Sequence, residues 1–476
     1  MKNSCKRCSS AAFIIVWSLY SVLPAYACST FMLKKDKVLI YAHNLNQPGI
    51  DVPGMIFINK RGIFKRGRTW NELFTKNRSN PSDYYWISRY GSVTFNAFGR
   101  DFPDGGMNET GLYIWEMSEQ ADYPQNDSLP KLMHMNWMQY ILDNTSSLDE
   151  AINCASQFEI DGWGWHYFIG DGQGNCASVA FKDGEIIIHR GDRMPVPALF
   201  NEPYERELEL LKYFQGFGGQ YNPDLQDKKV PRFVKTAVMI RDFDLGQDAV
   251  EFTVKALENL TVNEPPKWSV IFDVYQKDVY FKTEKNPGLK YFSMKQFDFS
   301  NRFPVKILDI NPSRQAGEVT DLFREYSTAH MENFLQSLPL PDDFFTRGGL
   351  TKDEFVNRFA KHHLSVNEPE SQFFSGTWKT TMPANERDDS QIQWELKLWC
   401  ENEAVWGNIS NSKGYVTNTP IEHLQLRNYT LSFTYRTDTQ QTMVEAIANI
   451  DGEHMQLNLN GIESRIGSYD LFRVKH

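Results

Sequence analysis

The change of hydrophobic period near residue 370 constrains this chain more than any other feature. Beyond Phe373 apolar residues fall on every second position, as in Ile392, Trp394, Leu396 and Leu398, in Leu431, Phe433 and Tyr435, and in Val444, Ala446, Ala448 and Ile450. A repeat of two puts one set of side chains on each face of a strand, so this stretch predicts half-buried antiparallel strands. The turn-forming runs Asn411-Ser412-Lys413-Gly414 and Asp451-Gly452 separate them, and residues 371–476 are expected to form a small antiparallel β-barrel or sandwich.

Upstream, the pattern is mixed. Strand-like runs at Cys28–Leu33, Val38–Tyr41 and Met55–Ile58 precede two helical segments, Lys131–Leu142 and Ser147–Phe158, the second opening with a capping-box pattern, Ser147 to Glu150. Strands are predicted again at His166–Ile169, Ala177–Phe181 and Glu185–His189, then helices at Tyr204–Phe214 and Ala249–Asn259, then strands at Trp268–Val274 and Val279–Thr283. This order suits an α+β domain with helices layered on sheets over residues 28–326. Residues 327–370 are helical and charged, with a further capping box from Thr351 to Glu354, and read as a connector in which His362 and His363 face solvent. A chain of 476 residues is long enough for this arrangement of more than one domain.

The first residues stand apart. Lys2, Lys6 and Arg7 precede an apolar run, Ala11–Leu23, and Pro24-Ala25-Tyr26-Ala27 presents small residues where a signal peptidase reads. Residues 1–27 are expected to be a cleaved signal, giving a periplasmic or secreted protein. The apolar run is shorter than the ~20 residues that span a bilayer, so no integral membrane span is expected after cleavage. A formal charge of −10 argues against nucleic acid as a partner, and homo-oligomerisation stays open. Of six cysteines, Cys28, Cys154, Cys176 and Cys400 lie beyond the signal, too sparse for a disulfide framework and without a metal-binding pair. Cys154 and Cys176 read as buried fillers. Neither a cofactor nor a metal is expected.

Cleavage after Ala27 would expose Cys28 as the first residue. The sequence carries no Gly-x-Ser-x-Gly elbow, His-Glu-x-x-His helix or Walker loop. Ser128 and Lys131 have the spacing of a serine–lysine pair, but Ser128 better suits capping the next helix. An N-terminal cysteine brings its own base, because a free α-amine has a pKa of about 7.7–8.0 and can take the thiol proton near neutrality. Its chemistry is acyl transfer through a thioester. The alternative is a lipid-anchored, non-catalytic binding lipoprotein with Cys28 as the lipidation site, although Ala25 and Tyr26 fit a lipidation signal poorly.

A series of motifs then carries a resemblance. Cys28-Ser29-Thr30-Phe31-Met32-Leu33, Tyr41-Ala42-His43-Asn44-Leu45-Asn46, Ile58-Asn59-Lys60-Arg61-Gly62, Tyr90–Asn96, Gly106–Leu112, Leu199–Pro203, Arg232–Lys235 and Trp268-Ser269-Val270 occur in this order. Together they resemble the choloylglycine hydrolase and penicillin V acylase family of N-terminal-nucleophile hydrolases, over about Cys28 to Asn286. The resemblance implies a four-layer αββα sandwich and a small-molecule N-acyl amide as substrate. It also implies Cys28 as nucleophile, Asn201 as an oxyanion donor and Arg232 as the arginine that orders the site. Two positions depart from the family pattern: His43 stands where an arginine is common, and Asn46 where an aspartate holds the terminal amine. His43 replaces that cation only if protonated; otherwise it is a strand-end imidazole. Asn46 can accept from the amine but adds no charge. Further on, Gly376-Thr377-Trp378 and Arg473 loosely resemble a lipocalin-like barrel.

Overall fold

The computed structural model describes residues 28–474 apart from 47–51, 62, 77–80, 83, 262–263, 301–303, 363–375, 381–391, 402–403, 428–429, 438–442, 452–453 and 461–466. The signal read at 1–27 and His363 lie outside the described residues.

Two sheets face each other. The first has seven strands in the order Ala198–Leu199, Ser29–Lys35, Val38–Leu45, Trp268–Asp273, Asp278–Thr283, Lys290–Ser293 and Gly317–Glu318. The second has nine, in the order Glu185–Arg190, Cys176–Lys182, Trp165–Gly170, Tyr113–Ser118, Gly105–Asn108, Ser92–Asn96, Met55–Asn59, Lys306–Asp309 and Arg324–Glu325. Phe31 and Tyr41 of the first sheet share a core with Phe95, Trp115 and Phe168 of the second, and Tyr41 stacks on Tyr113 at 4.7 Å. A Cβ on Gly170 would lie 2.4 Å from the Tyr41 ring, so the absence of a side chain there admits the tyrosine, whose hydroxyl donates to Asp171 O at 2.7 Å.

Helices Arg232–Asp242 and Ala249–Asn259 cover the outer face of the first sheet, and His134–Asn144 and Leu148–Cys154 that of the second. The layers thus run helix, sheet, sheet, helix. Interior strands covered on both sides, such as Met55–Asn59 and Ser92–Asn96, are buried at every position, whereas Asp278–Thr283 alternates.

Several sequence expectations are corrected. Residues Lys131–Met133 are not helical; they pair in parallel with Glu159–Asp161, and the helix starts only at His134. Ser128 caps no helix, because its hydroxyl donates to Asn126 Oδ1 at 2.6 Å within a turn. The helix capped by Ser147 ends at Cys154, and the carboxylate of Glu150 turns to Ser146 rather than closing the box. Residues 327–370 are not a free connector. Helices Thr328–Gln336, Asp342–Thr346 and Lys352–Lys361 bury Met331, Phe334, Leu335, Phe355 and Phe359 in the same core as the second sheet's outer helices. His362 is buried instead of solvated: Nε2 lies 3.3 Å from Asp101 Oδ2, and its carbonyl accepts from Arg68 at 2.6 Å.

The C-terminal region is a nine-stranded antiparallel sheet, ordered Thr419–Pro420, Ala404–Asn411, Trp394–Glu401, Gly376–Thr380, Gly467–Arg473, His454–Asn460, Met443–Asp451, Thr430–Arg436 and Glu422–Arg427. Alternation places Leu396 and Leu398, and Leu431, Phe433 and Tyr435, on its buried face. The side chains of Val444, Ala446, Ala448 and Ile450 lie outside the described ones. The first and last strands pair, with Trp378 opposite Arg473, whose guanidinium lies 4.5 Å above the indole ring.

Candidate active site

Cys28 lies immediately before the strand Ser29–Lys35 and is 3% exposed. Its thiol donates to the backbone carbonyl of Asn46, which lies 3.8 Å from Sγ. Thr30 pairs with Leu199 and Phe31 with Ala198, so Asn201, two residues beyond its strand, and Cys28, just before its own, lie at the same end of the sheet. Asn201 donates from Nδ2 to Ser118 O at 3.2 Å, while its Oδ1 is buried without a hydrogen-bond partner among the described residues.

Arg232 opens its helix just after Pro231, where the helix dipole disfavours a cation. Its Nη1 donates to Cys28 O at 2.7 Å and to Ser29 Oγ at 2.9 Å, and its guanidinium lies 5.0 Å above the Phe200 ring. These contacts offset the dipole and bring the positive charge onto the nucleophile's own peptide. Cys28, Asn201 and Arg232, more than 170 residues apart in part, therefore meet at one end of the first sheet.

Burial pushes the Cys28 thiol up to about 11; the Asn46 carbonyl contact and Arg232 pull it down, and the carboxyls of Glu116 and Asp104 oppose them. Burial also raises Asp104 to about 7, against the amides of Ala97 and its own residue, and raises Glu116 well above the usual carboxylate range, reinforced by Asp104. In the chain with residues 1–27 still attached, the thiol is thus held neutral.

His43 does not take the place of a cation. It sits within the strand Val38–Leu45, not at its end, fully buried and stacked 4.2 Å from Trp115. Neither ring nitrogen has a hydrogen-bond partner among the described residues, and burial holds its pKa well below the ordinary imidazole value. Asn46 is buried beside Cys28, and the contact that touches the thiol comes from its backbone.

Sequence reasoning missed two residues next to this constellation, Glu119 and His166. His166 Nε2 lies 2.6 Å from Phe200 O, and its Nδ1 lies 2.7 Å from Glu119 Oε2. A histidine inside an apolar strand was the only signal, and it has no specificity alone. Among the described residues no group of three or more His, Cys, Asp or Glu side chains is arranged to hold a metal ion, and no helix is long and apolar enough to cross a membrane. Cys154 is buried and Cys176 partly buried, both as free thiols, the latter 4.0 Å from Met194 Sδ.

No family profile matches the chain. A penicillin V acylase of Pectobacterium atrosepticum is 23% identical over 278 residues, which cover 48% of this chain and 73% of that protein. Among solved structures, penicillin V acylase from Agrobacterium tumefaciens superposes with a TM-score of 0.55 at 22% identity, over 63% of this chain and 98% of that one. A conjugated bile acid hydrolase from Clostridium perfringens gives a TM-score of 0.47 at 16% identity, over 62% of this chain and 99% of the other. Nearly the whole acylase is therefore matched by less than two thirds of this chain. The chain is thus similar in sequence to a penicillin V acylase, and its paired sheets and outer helices share their fold with the Agrobacterium acylase.

Proposed function

We propose that this protein is an exported cysteine N-terminal-nucleophile hydrolase that cleaves the linear amide C–N bond of an N-acyl compound. The observation that carries this reading is the meeting of Arg232, Asn201 and Cys28 at one strand end, with Arg232 on the carbonyl of Cys28 itself. Removal of residues 1–27 frees the α-amine of Cys28, which takes the thiol proton. Sulfur then attacks the acyl carbonyl, and the tetrahedral oxyanion is met by the side-chain amide of Asn201. As the C–N bond breaks, the ammonium returns its proton to the leaving nitrogen. Water, deprotonated by the same amine, hydrolyses the thioester to a carboxylic acid and restores the thiol. Arg232 fixes the Cys28 peptide and lowers the cost of a thiolate beside it.

Processing and export go together in this reading, and place the protein in the periplasm or outside the cell. The C-terminal region is read as a closed, lipocalin-like barrel. Its two edge strands, Thr419–Pro420 and Glu422–Arg427, are joined through Ile421 alone, which a flat sheet of this order does not allow.

Intact mass of the exported protein, with hydrolysis of penicillin V and a panel of N-acyl amino acids, tests the reading. A chain beginning at unmodified Cys28, active on one of these amides and inactive as Cys28→Ser, is the expected result. A diacylglyceryl adduct on Cys28 would establish the lipoprotein instead.

A further inference from the structure

We propose that Glu119 and His166 form a brace that positions Asn201 for the oxyanion. The inference rests on the functional reading above and extends it to two residues outside the motifs that carry the family resemblance.

The chemistry of the acceptor fixes the tautomer. A carbonyl oxygen only accepts, so the 2.6 Å approach of His166 Nε2 to Phe200 O requires the proton on Nε2. The other nitrogen, Nδ1, lies 2.7 Å from Glu119 Oε2, and His166 is fully buried. The two atoms are in ion-pair contact without hydrogen-bond alignment, so the Glu119 carboxylate acts by its position against Nδ1, where it limits rotation of the ring.

The brace ends where the site needs rigidity. Phe200 is the residue before Asn201, and its carbonyl is held by His166 while its ring lies under the Arg232 guanidinium. Ser118, the residue before Glu119, supplies the carbonyl that receives the Asn201 amide, and it pairs across the sheet with Trp165, the residue before His166. Ser118 and Glu119 thus hold Asn201 and Phe200, Ser118 directly through the Asn201 amide and Glu119 by way of the His166 ring. An oxyanion donor works only when its N–H is aimed in advance at the position the oxyanion will take. Without Glu119, Nδ1 loses that contact and the ring is free to turn. The Phe200 carbonyl then loses its donor, and the backbone that carries Asn201 loses its brace.

Three variants of the full processed chain test this. Glu119→Ala is expected to lower kcat about 10- to 100-fold with KM changed less than about threefold, as befits a donor used in the transition state. Glu119→Gln should restore most of that loss, because its side chain keeps the same position against Nδ1 and still limits rotation of the ring. In an Asn201→Ala background, Glu119→Ala should cost little more, since its effect passes through Asn201. Selective labelling of asparagine side-chain amides with 15N gives a readout that needs no substrate: the Asn201 signal should move in Glu119→Ala and return in Glu119→Gln. Thermal melts separate these effects from loss of fold. Multiplicative losses with Asn201→Ala, or an Asn201 signal unmoved by Glu119→Ala, would overturn the brace while leaving a Cys28-dependent hydrolase intact. A protein in which Cys28→Ser keeps full activity would instead remove the functional reading, and the amide signal would still decide the brace.

Discussion

The end of the sandwich around Cys28 and the C-terminal sheet are both well buried, yet they bury different things. Near Cys28 lie Asp104, Glu116 and His166, with Lys65, Asp101, His134 and Asp143 elsewhere in the same domain, all under 9% exposed. The described core of the C-terminal sheet is aliphatic and aromatic, built on Trp378, Leu396, Phe433 and Leu457. Burying an ionisable group costs several kcal/mol unless it is paired or neutralised, whereas an apolar side chain gains by burial. A fold keeps the costly kind where it serves chemistry or a specific arrangement, and such groups have shifted pKa values. The comparison predicts that substitutions near Cys28 act on rate and pH dependence, and those in the C-terminal core on stability.

The largest effect after loss of Cys28 itself is expected at Asn201. Asn201→Ala should lower kcat by about 10²–10³ with a smaller change in KM, the usual loss for one oxyanion donor. Steady-state kinetics on the amide that the wild type hydrolyses checks this, and a rise in KM alone would make Asn201 a binding residue. Trp378→Ala tests the other region. It removes a fully buried indole beneath Arg473 and should destabilise the C-terminal sheet by about 3–5 kcal/mol, leaving kcat per folded molecule unchanged. Denaturant unfolding followed alongside activity separates the two regions, and a matching fall in kcat would show that they are coupled.

Asp104→Asn sharpens the contrast through pH. Burial raises the Asp104 carboxyl from 3.8 to about 7, so between about pH 4 and 7 the folded protein holds a proton that the unfolded chain has released. Stability from this group is greatest in acid and falls as pH rises through that window. Asparagine cannot ionise, and its side-chain oxygen can still accept from the Ala97 amide, now 2.7 Å from Asp104 Oδ2. The variant should match the wild type near pH 4 and exceed it at pH 8 by at most about 4 kcal/mol, the ceiling set by the pKa difference. Unfolding midpoints measured across that range check the slope, and parallel curves would mean that Asp104 titrates normally.

What was legible in the sequence follows the range of the signal. Strand and helix periods are local, and Ala249–Asn259 appears with the bounds its pattern predicts. Cys28, Asn201 and Arg232 were singled out by the order of the motifs that contain them, whereas the contact of Arg232 with the Cys28 carbonyl comes only from the fold. His43 was misplaced because nothing local shows that Trp115 lies over its ring. The helices after residue 327 looked like a solvated connector because their charged faces are plain in the sequence. Their apolar faces meet partners more than 200 residues earlier, such as Phe74 and Phe102, each about 5 Å from Phe359. Glu119 and His166 each carry a single residue of signal, and only the fold brings them together.

The smallest expected effect is at Asn46, where two ways of acting can be told apart. Its carbonyl accepts the Cys28 thiol in the unprocessed chain, a contact that any residue could supply. Its side chain bears on catalysis only if it reaches the α-amine released by processing. Asn46→Asp keeps the carbonyl and adds a carboxylate a few atoms away. If the side chain faces the amine, that charge favours the ammonium form, the amine's pKa rises, and the acidic limb of kcat/KM against pH moves upward by about one unit. The same carboxylate would raise a thiol that burial already holds near 11, so activity near neutrality should fall modestly. Superimposable pH profiles for the two proteins would mean that the side chain of residue 46 does not reach the amine.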